Sequence, residues 1–216
     1  EGLANLKGVL LSLEDRKVTI DLAKDEFHSL AINKGFAVIH ISTGKPVDLF
    51  FEASSYAFVD EQLKEILAKP GLDDKPIFLF GTMVAGHRAL KYMEHCQKGR
   101  SFIQPDIRGV VLSESTLDWV RMWFEGQKQV RDSLNSVKFF EGNLINYLFK
   151  DHFRESPYQD LQRYADFSPY TYFDTTQHKQ RLYRHFAIRA YTFAPTNYWY
   201  SVNGNGVYDC NFPDMC

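Results

Sequence analysis

The stretch "PIFLFGTMVAGHRALKY", Pro76 to Tyr92, decides how this chain is read. "IFLF" is a short apolar run, and the residues from about Ala85 to Gln97 continue at helical spacing, so the segment spells strand, sharp turn and helix. Gly81 and Ala85 stand two residues either side of Met83, and Gly86 and Ala89 follow. Small side chains at those places let a helix begin close against the strand it has just left. Met83 is therefore expected at the tip of the turn, near the C-terminal edge of a sheet.

Outward from this stretch the same alternation repeats. Upstream, "KGVLLSL" (Lys7 to Leu13) is a compact apolar run bounded by "EDRK", and "KVTIDL" reads as a second strand or a turn. "AKDEFHSLAINKG" places Phe27, Leu30 and Ala31 at helical spacing and ends on Gly35, a helix C-cap residue. "FAVIHIS" (Phe36 to Ser42) is too uniformly apolar for a half-exposed strand and suggests burial on both faces, as in a parallel sheet. A helix from Val59 to Lys69, with Leu63, Ile66 and Leu67 on one face, leads through "KPGLDDKP" into "IFLFG". Downstream, "IRGVVLSES" is another buried strand. Repeated β–α units of this kind predict an α/β fold, a mostly parallel sheet with helices on both faces and right-handed crossovers.

From Leu117 to about Tyr164 the pattern changes to a strandless, ring-rich helical insertion, 117–164, inside one domain spanning 1–216. The sheet resumes at "RHFAIRAYTF" (Arg184 to Phe193), after the loop "SPYTYFDTTQHKQRLY". Neither an internal repeat nor a low-complexity linker is visible.

The 216 residues suffice for one large domain with a substantial core. Hydrophobic residues at 44% and charged ones at 24% place the chain among globular proteins, and aromatics at 15% exceed what an ordinary core needs. The formal charge is −2, with Lys and Arg scattered among acids, which argues against nucleic acid as a partner. No apolar run approaches the roughly 20 residues that cross a bilayer. "EGLANLKG" carries no start Met, so removal of an N-terminal segment, and with it a place in the cell envelope or outside the cell, stays open. Cys96 reads as a buried helix residue, while Cys210 and Cys216 are near enough in sequence to close a small loop.

The spacing at the turn is that of a nucleophile elbow: small, x, nucleophile, x, small, where a strand passes abruptly into a helix. Gly81, Met83 and Ala85 fill the three positions, with Gly86 behind them. Shifting the register to Thr82 puts Phe80 and Val84 at the flanks, both too bulky. Together with "FAVIHISTGKP", "GHRALKY", "FSPYTYFDTTQ", "IRAYTF" and "NYWY", the elbow resembles a group of α/β-hydrolase-like proteins common in Bacteroidota, over nearly the whole chain. That resemblance implies a bacterial protein on a serine-hydrolase framework, esterase-like or peptidase-like, with a helical cap after the strand that follows the elbow. Carried across, the catalytic serine falls on Met83, the acid on "FAPTNYW", which has no carboxylate, and the histidine beyond Cys216. A thioether has no proton to surrender and cannot act as an alkoxide-like nucleophile.

Two functions follow as expectations. The first is a non-catalytic pseudo-hydrolase that binds a ligand or a protein; the alternative is an active esterase or peptidase seen as an incomplete chain. Contacts for a ligand or partner are expected at Met83, His87, Trp119, Trp123, Tyr198 and Trp199, with His87 on the surface or against the cap. The rings of the insertion, Phe124, Phe139, Phe140, Tyr147 and Phe149 included, exceed what a thin lid needs, and an apolar small ligand would suit them. The strand at 185–191 is expected to present an edge that a protein partner or a further segment covers, with "YTFAPTNYWY" beside it. His40 reads as a core histidine; Ser113 and Ser115 flank Glu114 at a strand end without a base. "STGK" lacks the glycine and the hydroxyl of a phosphate loop, Asp209 and Asp214 read as solvent-exposed, and no spacing indicates a metal or other cofactor.

Overall fold

A computed structural model describes residues 5–203 apart from 16, 18, 20, 22–24, 46–47, 134, 177 and 194–195, and apart from the side chains of 196, 199, 202 and 203. Cys210, Cys216, Asp209 and Asp214 lie outside the described residues, as does half of "KVTIDL", whose described members Lys17, Thr19 and Asp21 belong to no regular element. The elements run β1 (Gly8–Glu14), α1 (Glu26–Asn33), β2 (Phe36–Ser42), α2 (Ala53–Leu67), β3 (Ile77–Thr82), α3 (Val84–Gln97) and β4 (Ile107–Ser113). They continue with α4 (Trp119–Asp132), α5 (Ser136–Phe153), α6 (Leu161–Phe167), α7 (His178–Tyr183), β5 (Ala187–Tyr191) and α8 (Thr196–Asn203).

The five strands form one parallel sheet in the order β2-β1-β3-β4-β5, so the fold is α/β. Side chains alternate across it. Val9, Leu11 and Leu13 of β1 and Ile77 and Leu79 of β3 are buried on one face, where α3 packs on β1, β3 and β4. Each such side chain contributes about 1.5–3 kcal/mol of burial. Ser12, Glu14, His40 and Phe80 share the opposite face, the one on which α1 lies.

β2 starts and ends where its apolar run does, yet only Ile41 is fully buried: β2 stands at the end of the strand order, so burial on both faces does not hold for it. α1 likewise buries His28 and Ala31 while Phe27 and Leu30 remain exposed. Gly35 does end it, with φ +87° and its N–H on the Ile32 carbonyl at 2.9 Å. α2 begins six residues before the expected Val59, because Ser55 and Asp60, polar by type, are buried on its inner face. The presumed loop before β5 contains α7, whose Lys179 is buried with its ammonium on the carbonyls of Asp166 and Ser168.

The chain divides into two compact units, Glu1–Ser113 with Leu182–Ala190, and Glu114–Arg181 with Tyr191–Cys216. In the second, α4 and α5 pack closely. A Cβ on Gly142 would stand 2.8 Å from the Gly126 carbonyl oxygen, so the crossing depends on bare backbone there. Trp119, Phe149, Phe153 and Tyr164 form the ring-filled core, with Phe153 and Tyr164 stacked at 4.0 Å. Helix starts in both units rest on side-chain caps: Asp25, Asp118, Asn135 and Asp160 each accept from backbone N–H groups of the turn they precede.

Candidate functional site

Met83 sits between β3 and α3 with φ 50° and ψ −121°, a backbone region that costs a side-chain-bearing residue about 1–3 kcal/mol. Its N–H donates to the Ser113 carbonyl at 2.9 Å, and its side chain is 60% exposed. Below it Gly81 touches the start of α3 so closely that a Cβ would lie 2.3 Å from the Ala85 carbonyl carbon and 2.4 Å from the Gly86 nitrogen. Ala85 and Gly86 are buried, as the small-residue pattern requires.

The turn follows β3, and the strand order reverses between β3 and its neighbour β1, the kind of place where α/β sheets bind ligands. There the guanidinium of Arg88, buried on α3, ties separate segments together. Its Nε donates to the Asp48 carbonyl at 2.9 Å, its Nη1 to the Leu13 carbonyl at 3.3 Å, and its Nη2 lies 3.5 Å from Asp15 Oδ2. Burial draws the Arg88 pKa below its ordinary value, against the pull of Asp15, Asp48 and Glu14. Asp48 Oδ2 accepts from Ser55 Oγ at 2.8 Å, and Lys45 Nζ donates to Ser54 and Ser55. Sequence reasoning did not single out Arg88, because its acceptors are backbone carbonyls far along the chain.

A second polar cluster occupies the α1 face. His28 Nε2 and His40 Nε2 are 2.8 Å apart, a contact that needs one proton between the rings. His28 Nδ1 lies 2.6 Å from Asp25 Oδ2, His40 Nδ1 lies 3.6 Å from Glu14 Oε1, and Ser12 Oγ donates to Glu14 at 2.6 Å. Burial raises the Glu14 pKa, but the nearby His40 ring and the Ser12 hydrogen bond outweigh it and leave the carboxyl below its usual range. His40, expected in the core, is half-buried, with its Nε2 on the His28 ring.

Other expected contact residues fall differently. His87 is fully buried, not on the surface, because the inner face of α3 carries both His87 and Arg88. Trp119 is fully buried against Phe149 and is out of a partner's reach. Trp123 is half-buried and edges onto Phe124 at 5.0 Å and Tyr158 at 5.6 Å. Phe139, Phe140 and Tyr147 stand exposed on α5, whereas Phe149 belongs to the core. Tyr198 is exposed on α8, and the side chain of Trp199 lies outside the described residues. All five residues of β5, the last strand in the order, are exposed.

Glu114, passed over in sequence, occupies the end of β4 with φ 48°. Its N–H donates to the Tyr191 carbonyl at 3.0 Å, and its Oε1 accepts from the Phe193 N–H, so one carboxylate holds the end of β5. Cys96 is half-buried on α3 and its thiol is pushed up to about 12 by burial, the state of an inert thiol. Among the described residues no three His, Cys, Asp or Glu side chains gather as a metal ion would require, and no helix is long and apolar enough to cross a membrane. Compared with known protein families and with curated proteins, the sequence matches no family model and no curated protein.

Proposed function

We propose that this protein is a non-catalytic relative of the α/β hydrolases, a binding or protein-interaction subunit in which methionine occupies the nucleophile's turn. The observation that carries the reading is Met83 itself: a strained, exposed residue at the strand-to-helix turn, with φ 50° and ψ −121° and small residues packed on either side. Two features agree with it. The turn follows the middle strand of the order, and a strandless helical stretch, α4 to α6, comes after the next strand, where a cap belongs.

Chemically, a flexible and polarizable thioether makes the tip an apolar contact instead of a nucleophile. The neighbouring cations and carboxylates at the sheet's rim, Arg88, Lys45, Asp15 and Asp48, hold the β1 and β2 ends beside it. On this reading the exposed β5 edge receives a strand from a protein partner, since an edge offers a ladder of main-chain groups to another chain.

A fluorophosphonate probe tests the reading. The protein is expected to take up no stoichiometric label, and Met83→Ser to gain little, because a nucleophile without base and acid recovers almost none of a triad's rate. Stoichiometric labelling of the native protein at a mapped Ser or Thr would overturn it.

A further inference from the structure

β5 stands last in the strand order, and all five of its residues are exposed. Two contacts fix which way its peptide groups point. A Cβ on Gly109 of β4 would stand 2.5 Å from the Ala187 carbonyl oxygen, and the Tyr191 carbonyl accepts from Glu114 N–H at 3.0 Å. Ala187 and Tyr191 therefore face the β4 side. Main-chain groups alternate along a strand, so Arg189 faces β4 as well, while Ile188 and Ala190 turn their N–H and C=O to the side on which no strand of the described residues pairs.

The charge along this edge is of one sign. From Thr175 to Ala190 the sequence has no Asp or Glu, and neither has β4. Arg184 and Arg189 are both exposed, and neither makes an ion pair among the described residues. Arg108, the cation of β4, is by contrast paired with Asp106 at 2.8 Å. A second copy of this chain fits such an edge poorly. Full antiparallel overlap of two β5 strands about a two-fold axis sets Arg189 directly against its own copy, in the kind of pair whose side chains come closest, and like charges there destabilise the pairing.

The same arginine suits an acid. Resting on the reading of β5 as an interaction edge, we propose that its partner is an extended acidic peptide segment, paired through the outward groups of Ile188 and Ala190, with one Asp or Glu across from Arg189 and another at Arg184. Backbone pairing supplies the docking, as in other added strands, and the carboxylates select among strands.

Short fluorescein-labelled peptides that alternate Thr with Glu, Gln or Lys test this on the full protein by fluorescence anisotropy, because they keep the ladder and vary only the charge. The Glu peptide is expected to bind saturably and about threefold or more tighter than the Gln peptide, the scale of one or two cross-strand charge pairs, with the Lys peptide weakest. Arg184→Gln with Arg189→Gln should bring the Glu peptide to the level of the Gln peptide and leave the latter unchanged. Ala190→Pro removes an outward N–H, where an edge strand tolerates proline, and should abolish binding of all three while the circular dichroism of the native fold is retained. Glu and Gln peptides of equal affinity, both lost in Ala190→Pro, would overturn the acidic partner and leave the edge reading intact. No saturable binding by any peptide, or binding that survives Ala190→Pro, would overturn both. A dimer in sedimentation equilibrium that Ala190→Pro dissolves would assign the edge to a second copy and overturn the proposal as well.

Discussion

Adding one methyl group at Gly81 examines the whole elbow. The Cβ of Gly81→Ala would stand 2.3 Å from the Ala85 carbonyl carbon, 2.4 Å from the Gly86 nitrogen and 2.5 Å from the Ala85 oxygen. All three are backbone atoms of the first turn of α3, so no side chain can swing aside. Ordinary contact needs about 3.5–4.0 Å, and the helix start must therefore retreat by about 1 Å. Overpacking commonly costs about 1–3 kcal/mol, and a rigid backbone obstacle puts this case at or above the upper end. Moving α3 also disturbs the Arg88 bonds to the Leu13 and Asp48 carbonyls, which adds to the loss. With a urea m-value of about 1–3 kcal/mol/M, a loss of about 3 kcal/mol lowers the midpoint by about 1 M or more, read by far-UV circular dichroism and tryptophan fluorescence. A Gly81→Ala protein within about 1 kcal/mol of the native one would mean that α3 does not start where described.

Met83→Gly should stabilise the protein by about 0.5–1 kcal/mol in the same assay: strain is relieved, and an exposed side chain takes little packing with it. Asp60→Ala should cost about 3–5 kcal/mol, because Tyr92 Oη at 2.6 Å, Ser101 Oγ at 2.9 Å and Phe102 N–H at 3.1 Å all lose their acceptor; Tyr92→Phe, which orphans nothing, should cost less than half as much. His95, stacked on Tyr56 at 4.3 Å, has its pKa lowered mainly by burial, so the unfolded chain takes its proton first as pH falls. Its contribution to stability is whole above about pH 6.5 and is lost below, and a native urea midpoint that falls between pH 7.5 and 5.5 no more steeply than that of His95→Gln would contradict this.

Apolar runs bounded by Gly, Pro and Asp marked β2 to the residue and β1, β3 and β4 within one or two, because strands buried in a parallel sheet carry their signal locally. What sequence did not show was polar burial. Residues 53–58 precede the helix expected from Val59, yet they open α2, in which Ser55 and Asp60 find partners in Asp48 and in Tyr92 and Ser101. His87, expected on the surface or against the cap, is buried, and Arg88 beside it, which the sequence did not single out, is buried with it. For Arg88 the burial is offset by the carbonyls of Leu13 and Asp48, which no local pattern encodes. The anchoring of the 168–173 loop was hidden differently: Ser168 and Thr171 look like ordinary loop residues until Asp118 and Trp119 are beside them.

The turn at Met83 raises a question of energy as well as chemistry. A strained residue persists only where its surroundings over-determine it. Here they do so without any nucleophile: Gly81 lets α3 start against β3, the Met83 N–H is fixed on Ser113, and Arg88 clamps the same helix to the β1 end. The frame alone would then hold glycine as well as methionine. On the proposed function, a side chain at a place where it costs about 1–3 kcal/mol, and where most of it faces solvent, acts through what it touches when something is bound. Stability and binding should therefore part company at this residue. If Met83→Gly raises the unfolding midpoint and weakens attachment of whatever occupies the rim, methionine is there for recognition; if it raises the midpoint and every association of the protein is unchanged, the turn is only a relic of packing.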